Sequence, residues 1–590
     1  MEEDMQKLFG DKHLSTKEMM HRTLKYLKPE RARFCLALFL ILINVGLDVI
    51  LPMFIRTVVD NLTSPAISLR IIIGVAVGYL AIRLVNQAFL YAESMILQRA
   101  GQNIVYRLRM EVFEHIENMS RNQLNEMPVG SLVTRVASYT ASMSDLFTSV
   151  LVNLLRNLLT VVGVYAIMFT ISWQLSLAML GFLVVVLVTS LVFRHRVTAI
   201  FREERKSISD LNTFLNENLS GMKLIQVFLR ESGKDKEMLE KNEALRRARF
   251  RVTVAFGIYR PFISMLYMLS IAVTFSLGVA LALTPGMIVA FYLYLSNFFN
   301  PIQNLADQLN NLQKALTASE RLFNLLDVSP EVRDKPDAVA VDRFKGKIEF
   351  RHVWFAYNPD EWILRDVSFV IQPGETCAFV GATGAGKTTI LSLIVRNFEI
   401  QKGQILIDDR DITEIQIKSL RRAVGQMLQD VFLFSGTVRS NITLNDPRFT
   451  EEEIEAAVKY VNADSFISRQ KHGLDEEVIA RGENFSQGER QLLSFARTVL
   501  HHPQILILDE ATANIDTETE VLIQQSLEKI RTIGTMLVVA HRLSTIQHAD
   551  QIVVLQNGEV IERGTHQELL RHRGYYYKLY QLQFENGEGA

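Results

Sequence analysis

Thr376-Cys377-Ala378-Phe379-Val380-Gly381-Ala382-Thr383-Gly384-Ala385-Gly386-Lys387-Thr388-Thr389 is the stretch on which the reading of this chain turns. Thr376 to Val380 predicts an apolar strand, and a helical pattern opens at Thr389 and runs to Asn397. A glycine-rich turn between a strand and a helix is the context a phosphate-binding loop requires. Its glycines let successive backbone N–H groups turn toward a β-phosphate, Lys387 adds a point charge for the β and γ oxygens, and Thr388 offers a hydroxyl to Mg²⁺. The expected ligands are the phosphates of a nucleotide and Mg²⁺, with Gly381, Ala382, Thr383, Gly384, Ala385, Gly386, Lys387, Thr388 and Thr389 around them.

Further segments fit the same chemistry. The apolar run Ile505 to Leu508 ends in Asp509-Glu510, which places two carboxylates at the carboxyl end of a strand. Asp509 is expected to hold Mg²⁺ and Glu510 to polarise the attacking water. A second strand, Met536 to Ala540, delivers His541 to that edge, where an imidazole can hydrogen-bond the γ-phosphate. Between them, Phe485-Ser486-Gln487-Gly488-Glu489-Arg490-Gln491 precedes the helical run Leu492 to Leu500, an arrangement suited to holding an anion on a helix N-terminus.

Composition sets the rest of the frame. At 590 residues the chain exceeds one compact core, its hydrophobic share is 48%, and apolar residues concentrate in the first half. Cys35 and Cys377 suggest no disulfide framework, which fits a reducing compartment for the C-terminal half. A net charge of −1 gives no support to nucleic-acid binding.

The first apolar span, about Phe34 to Val59, is longer than a signal-peptide core and follows a polar segment, so it is expected to remain as a membrane helix. Five more spans follow: Ile71 to Tyr91, Phe147 to Phe169, Leu175 to Phe193, Val254 to Leu283 and Met287 to Phe299. Two connections are long, Glu93 to Leu146 and Arg194 to Thr253; the first carries Arg99, Arg107 and Arg109, and the second is strongly basic, including Arg246-Arg247-Ala248-Arg249-Phe250-Arg251. The positive-inside rule puts both on the cytoplasmic side with both termini. Their helical periodicity predicts membrane helices that continue beyond the bilayer as rods. Before the first span, Met20, Leu24 and Leu27 share one helical face, which suits an amphipathic helix at the membrane surface. Asp48 and Arg83 lie inside spans, where ionisable groups are costly and face the bundle interior or water. With Phe262, Met265 and Tyr292 they are candidates for the substrate path; Asp48 is a candidate attractor for cations.

In order and spacing, the motifs from about Gly346 onward resemble the nucleotide-binding domain of ATP-binding cassette (ABC) transporters. Phe214 to Glu231 and Gly130 to Arg135 resemble the second and first intracellular segments of exporter-type members. The resemblance implies a membrane α-helical domain of six transmembrane helices, exporter type, fused to an α/β P-loop NTPase ABC domain. The boundaries follow as 1–33 (cytoplasmic segment with the amphipathic helix), 34–316 (membrane domain), 317–345 (linker), 346–580 (cassette) and 581–590 (tail). It further implies that Tyr357 stacks on adenine, Gln429 contacts Mg²⁺ and the membrane domain, and Asp516 crosses to the opposite subunit. Lys387, Glu510 and His541 would be the catalytic set, with Thr388, Gln429 and Asp509 around the metal. Tyr139 departs from the exporters, which commonly carry an Asp there.

One cassette and six helices make half of such a machine, so the resemblance implies a dimer in which each ATP lies against the partner's signature segment. The common signature is Leu-Ser-Gly-Gly-Gln, and this chain has Phe485-Ser486-Gln487-Gly488-Glu489. Gln487 adds bulk where backbone approaches phosphate, and Glu489 adds negative charge beside an anion. With the catalytic face intact and Ser486, Gln487, Gly488 and Glu489 offered to the other site, the chain resembles one subunit of a heterodimeric bacterial multidrug exporter. The implied partner is a second, non-identical half-transporter in the bacterial plasma membrane, and the implied cargo is small hydrophobic or amphiphilic compounds. A homodimeric exporter of lipid, peptide or another solute, and an ATP-gated channel or regulatory subunit, stay open on sequence alone.

Overall fold

The computed structural model of the chain describes residues 15–65, 67–358, 361–427, 431–509, 517–539 and 546–585. The chain divides into two compact units, Met1–Glu117 with Pro128–Val328, and Asn118–Met127 with Ser329–Ala590.

The first unit is helical. Its elements are α1 (Thr16–Leu27), α2 (Arg31–Leu62), α3 (Leu69–Glu117), α5 (Val129–Ile171), α6 (Trp173–Ser220), α7 (Met222–Val227), α8 (Glu231–Ala280) and α9 (Pro285–Leu326), while α4 (Arg121–Asn125) belongs to the second unit. Five helical stretches are long and apolar enough to cross a membrane by length and composition, and α9 opens on the sixth apolar span expected from the sequence. The 49 residues of α3 and the 50 of α8 make rods about 73–75 Å long. A hydrocarbon core is about 30 Å thick, so more than half of each rod lies outside it. This is how the two long connections are built, with no extended loop among their described residues.

Polar side chains tie the apolar helices together. Tyr294 donates to the Val49 carbonyl at 2.7 Å, beside the turn that Pro52 interrupts in α2. Asn44 on α2 donates to the buried Glu93 carboxylate on α3 at 3.0 Å, and Arg156 on α5 forms an ion pair with that carboxylate. Asp60 accepts from the Gly286 N–H at 2.9 Å and so fastens the α8–α9 turn to the end of α2. Phe291, Tyr294 and Phe299 are buried in the membrane core, so packing accounts for much of the aromatic content of the last spans.

On α1, Met19 and Thr23 are buried in the unit while Leu24 is exposed and Met20 and Leu27 half-buried, so the apolar face read from the sequence is left largely outward. Tyr139, where exporters commonly carry Asp, accepts a hydrogen bond from Arg321 at 2.8 Å and offers its ring to that guanidinium at 5.9 Å. The phenol thus supplies an acceptor and a π-face in the place of a carboxylate.

The second unit is the cassette. Its strands are β1 (Ile348–Ala356), β2 (Trp362–Ile371), β3 (Thr376–Val380), β4 (Lys402–Ile407), β5 (Arg410–Asp411), β6 (Val424–Met427), β7 (Gly436–Thr437), β8 (Glu477–Val478), β9 (Ile505–Asp509), β10 (Thr535–Val539), β11 (Gln551–Gln556) and β12 (Glu559–Gly564). They form sheets in the order β2-β1-β4-β5, β12-β11-β3-β10-β9-β6 and β7-β8. In the larger sheet β6, β9, β10, β3 and β11 run parallel, and β12 returns antiparallel. Strands β3 and β10 are buried throughout and read as continuous apolar runs, as strands covered on both faces do.

The short helix α4 packs within this unit. Ser120 and Gln123 close a reciprocal capping box at its start. Gln123 then donates to the Ser329 carbonyl at 2.9 Å, and Ser120 donates to Glu331 at 2.9 Å. The stretch that clusters with the cassette is therefore Asn118–Met127, just before the Gly130–Arg135 segment singled out in the sequence.

Candidate functional site

Neighbouring parallel strands bring β3, β10 and β9 out at one edge, with Phe379 opposite Val539 and Val539 opposite Asp509. Strand β3 sits where the chain order reverses across the sheet, and ligands in such sheets bind beyond the carboxyl ends at that point. The loop leaving β3 passes through Gly384 and Gly386 at φ +83° and +100° before α10 (Lys387–Ile394) begins. It is wedged tightly: a Cβ on Gly381 would lie 2.3 Å from the Leu555 carbonyl oxygen, and one on Gly386 2.6 Å from Leu364 Cδ2. Gly386→Val adds strain to a left-handed residue and a clash to that contact, and is expected to weaken ATP binding at least about tenfold in equilibrium titration.

Ala382, Thr383, Gly384 and Thr388 are exposed along the rim of this loop, and Ala385, Gly386 and Thr389 are buried beneath it. Lys387 is only 7% exposed, and its ammonium donates to the carbonyls of Gly381 at 2.6 Å and Ala382 at 3.1 Å, curling across the loop. Burial pulls its pKa below the ordinary lysine value, and the negative charge of Asp509 opposes that pull. Asp509 therefore stands close enough to act electrostatically on Lys387. Tyr357 follows β1, shares a 3.1 Å hydrogen bond with the Thr389 hydroxyl, and rests edge-on against Phe355 and Phe398 with ring centroids 4.9 and 5.1 Å away. At 42% exposure it offers an aromatic surface beside the phosphate loop, as a base-stacking residue requires.

Ser486 caps α11 (Gln487–Leu500), its hydroxyl accepting from Glu489 N at 3.2 Å. The Glu489 carboxylate accepts from Ser486 N at 2.8 Å, so its charge is drawn onto the first turn of the helix. Gln487 is exposed and Gly488 buried. Among the described residues no hydrogen bond or ion pair joins this turn to the Gly381–Thr388 loop. Gln429, Glu510, Asp516 and His541 lie outside the described residues.

The donor set at the loop suits a small hard cation. Thr388 presents a hydroxyl and Asp509 a carboxylate, and among the described residues no group of three or more His, Cys, Asp or Glu forms a cage. Mg²⁺ is held in this way by one or two protein oxygens together with the phosphates of a nucleotide.

In the membrane unit the structure joins two residues that the sequence left apart. Asp48 accepts from Arg83 at 3.0 Å and from Asn86 at 2.7 Å. Phe262, Met265 and Tyr292 are exposed but do not line the cavity that Asp48 and Arg83 share. The Glu93–Arg156–Asn44 cluster was missed in the sequence, although Arg156 interrupts an otherwise apolar span and was the signal to follow.

Comparison with known proteins agrees with this geometry. Residues 34–302 match the ABC transporter transmembrane region family, and residues 364–513 match the ABC transporter family. The uncharacterized ABC transporter ATP-binding protein YfiC of Bacillus subtilis is 37% identical over 97% of this chain and 95% of its own length. The ATP-dependent lipid A-core flippase of Syntrophus aciditrophicus is 32% identical over 96% of this chain and 95% of its own length. A solved bacterial Atm1-family ABC exporter with ATP bound superposes with a TM-score of 0.78 at 27% identity, covering 94% of this chain and 98% of that one. Such exporters are membrane ATPases that couple hydrolysis to transport and work as dimers. This chain, with one membrane domain and one cassette, belongs to the ABC transporter family as an exporter-type half-transporter.

Proposed function

We propose that this chain is one half of an unequal exporter in the bacterial plasma membrane, with the cassette and both termini cytoplasmic, moving hydrophobic or amphiphilic compounds outward. The observation that carries the inequality is the Glu489 carboxylate folded onto the Ser486 N–H. In a signature turn that N-terminus is meant for a phosphate, and a fixed carboxylate competes with and repels it. The chain's own loop keeps Lys387 within electrostatic reach of Asp509, and with Glu510 and His541 present in the sequence it would supply the catalytic face of one site while offering a poor signature to its partner.

Bound Mg²⁺, held by Thr388, Asp509 and Gln429, would neutralise charge on the phosphates. Lys387 and the loop N–H groups orient those phosphates, Tyr357 carries the adenine, Glu510 takes the proton of the attacking water, and His541 steadies the γ-phosphate. Asp516 meets the partner. Closure of the two cassettes on ATP drives the rods, and hydrolysis resets them. The tip around α7 exposes Leu224, Val227, Phe228 and Leu229, an apolar surface that fits cover by a second subunit.

Inside-out vesicles containing this chain and its partner are expected to accumulate a lipophilic dye only with hydrolysable ATP. Nucleotide-controlled leakage without accumulation would instead mark a channel. The lipid A-core flippase among the relatives favours a second reading, a homodimer moving lipid.

A further inference from the structure

A cavity of about 490 Å³ opens in the membrane unit between α2, α3, α5 and α9, within the range of small-molecule sites. Its polar lining includes Asp48, Arg83, Asn157, Thr160, Asn297 and Asn300. Counting about 1.5 Å per residue from the Leu62–Leu69 turn puts Asp48 and Arg83 at one level, about 21 Å down their helices. Their side chains are nevertheless 47% and 56% exposed. Charges that deep and that open are not tolerated against lipid, so the cavity belongs to a water-filled interior.

The pair is neutral as a whole but unsaturated in both signs. Both bonds to Asp48 fall on Oδ1, and Oδ2 takes part in neither; Arg83 commits one nitrogen, Nη1. Among the described residues, the amides of Asn157, Asn297 and Asn300 make no hydrogen bond within the chain, and each carries donors and an acceptor. Several polar groups with unspent hydrogen-bonding capacity thus converge on one cavity, the arrangement that orients a ligand in a small-molecule site.

We propose that this cavity binds the zwitterionic, hydrogen-bonding head of the transported molecule, with its cationic group on Asp48 Oδ2, its anionic group on the free nitrogens of Arg83, and amide or hydroxyl groups on the asparagines. The proposal rests on the export reading and narrows its cargo. It also replaces the expectation that Asp48 attracts simple cations, because Arg83 cancels that field at 3.0 Å. The same head chemistry is presented by a free short peptide and by a zwitterionic lipid.

The test uses the full chain with its partner in nanodiscs, and equilibrium binding of trialanine, of the same peptide blocked at both ends, and of tetraphenylphosphonium. Trialanine is expected to bind at least tenfold tighter than either of the others. Asp48→Asn and Arg83→Gln should each erase the preference over the blocked peptide. The exchanged double variant, Asp48→Arg with Arg83→Asp, should restore it, which separates loss of the site from loss of the fold. Competition by phosphatidylethanolamine discs over phosphatidylglycerol discs would identify a lipid headgroup as the source, and no competition a free zwitterion. Equal binding of free and blocked peptide, a preference that survives both single variants, or no saturable trialanine binding overturns the inference. Continued ATP-driven dye uptake in that case would leave the export reading standing, whereas loss of all ATP-driven uptake would remove that reading itself.

Discussion

Glu510→Gln is expected to lower steady-state ATP turnover of the complex at least about 100-fold while leaving nucleotide binding within about twofold. A positioned general base contributes roughly 10²–10⁴ in rate, and an amide of the same shape takes no proton from water. In the proposed site binding is assigned to other groups, the Gly381–Gly386 backbone, the Lys387 ammonium and the Tyr357 ring, which the substitution leaves in place. The effect is large only if this chain holds the competent site. Colorimetric phosphate release and equilibrium ATP titration on one preparation read both quantities. Turnover above about a tenth of the parent's would refute the assignment of Glu510.

The second large effect concerns folding. Glu93 is 1% exposed in its side chain and pairs with Arg156, which is 31% exposed, while Asn44 donates to the other carboxylate oxygen. Asn44 Oδ1 and Arg156 Nε are buried without partners, so the cluster is already short of hydrogen bonds. Removing one charge strands the other, at a cost of about 3–5 kcal/mol, whereas removing both together is often close to neutral. Arg156→Met is therefore expected to destabilise the membrane domain by about 3 kcal/mol or more, and Glu93→Leu similarly. The double variant should lose less than the sum of the two by at least about 2 kcal/mol, measured as denaturant unfolding in detergent. Additive losses would mean that the pair is not a unit.

The strand, glycine-rich loop and helix were legible in the sequence because they are local. Residues 381–389 are contiguous, and their glycines, lysine and threonine each answer a requirement of phosphate binding that spacing alone reveals. Asp509 was legible for a similar reason, since an apolar strand ending in a carboxylate fixes where the carboxylate emerges. The polar contacts of the membrane unit were not. Whether Asp48 meets Arg83, or Glu93 meets Arg156, depends on how long helices are rotated and offset against one another, and an error of one residue turns a side chain by about 100°. Tyr139 was noticed as a departure, but its partner Arg321 is 182 residues away and only the fold brings them together. The role of Glu489 was half legible: its charge was plain, and its return to the Ser486 N–H follows from a Ser and a Glu three positions apart at a helix start.

The central claim is the unequal dimer, and subunit stoichiometry measured together with ATPase activity tests it most directly. The chain is expressed alone and with candidate half-transporters, purified through a tag on this chain only, and assayed in lipid. A one-to-one complex with a non-identical partner, active only when both are present, is the expected result. A fully active pair of identical chains would contradict it.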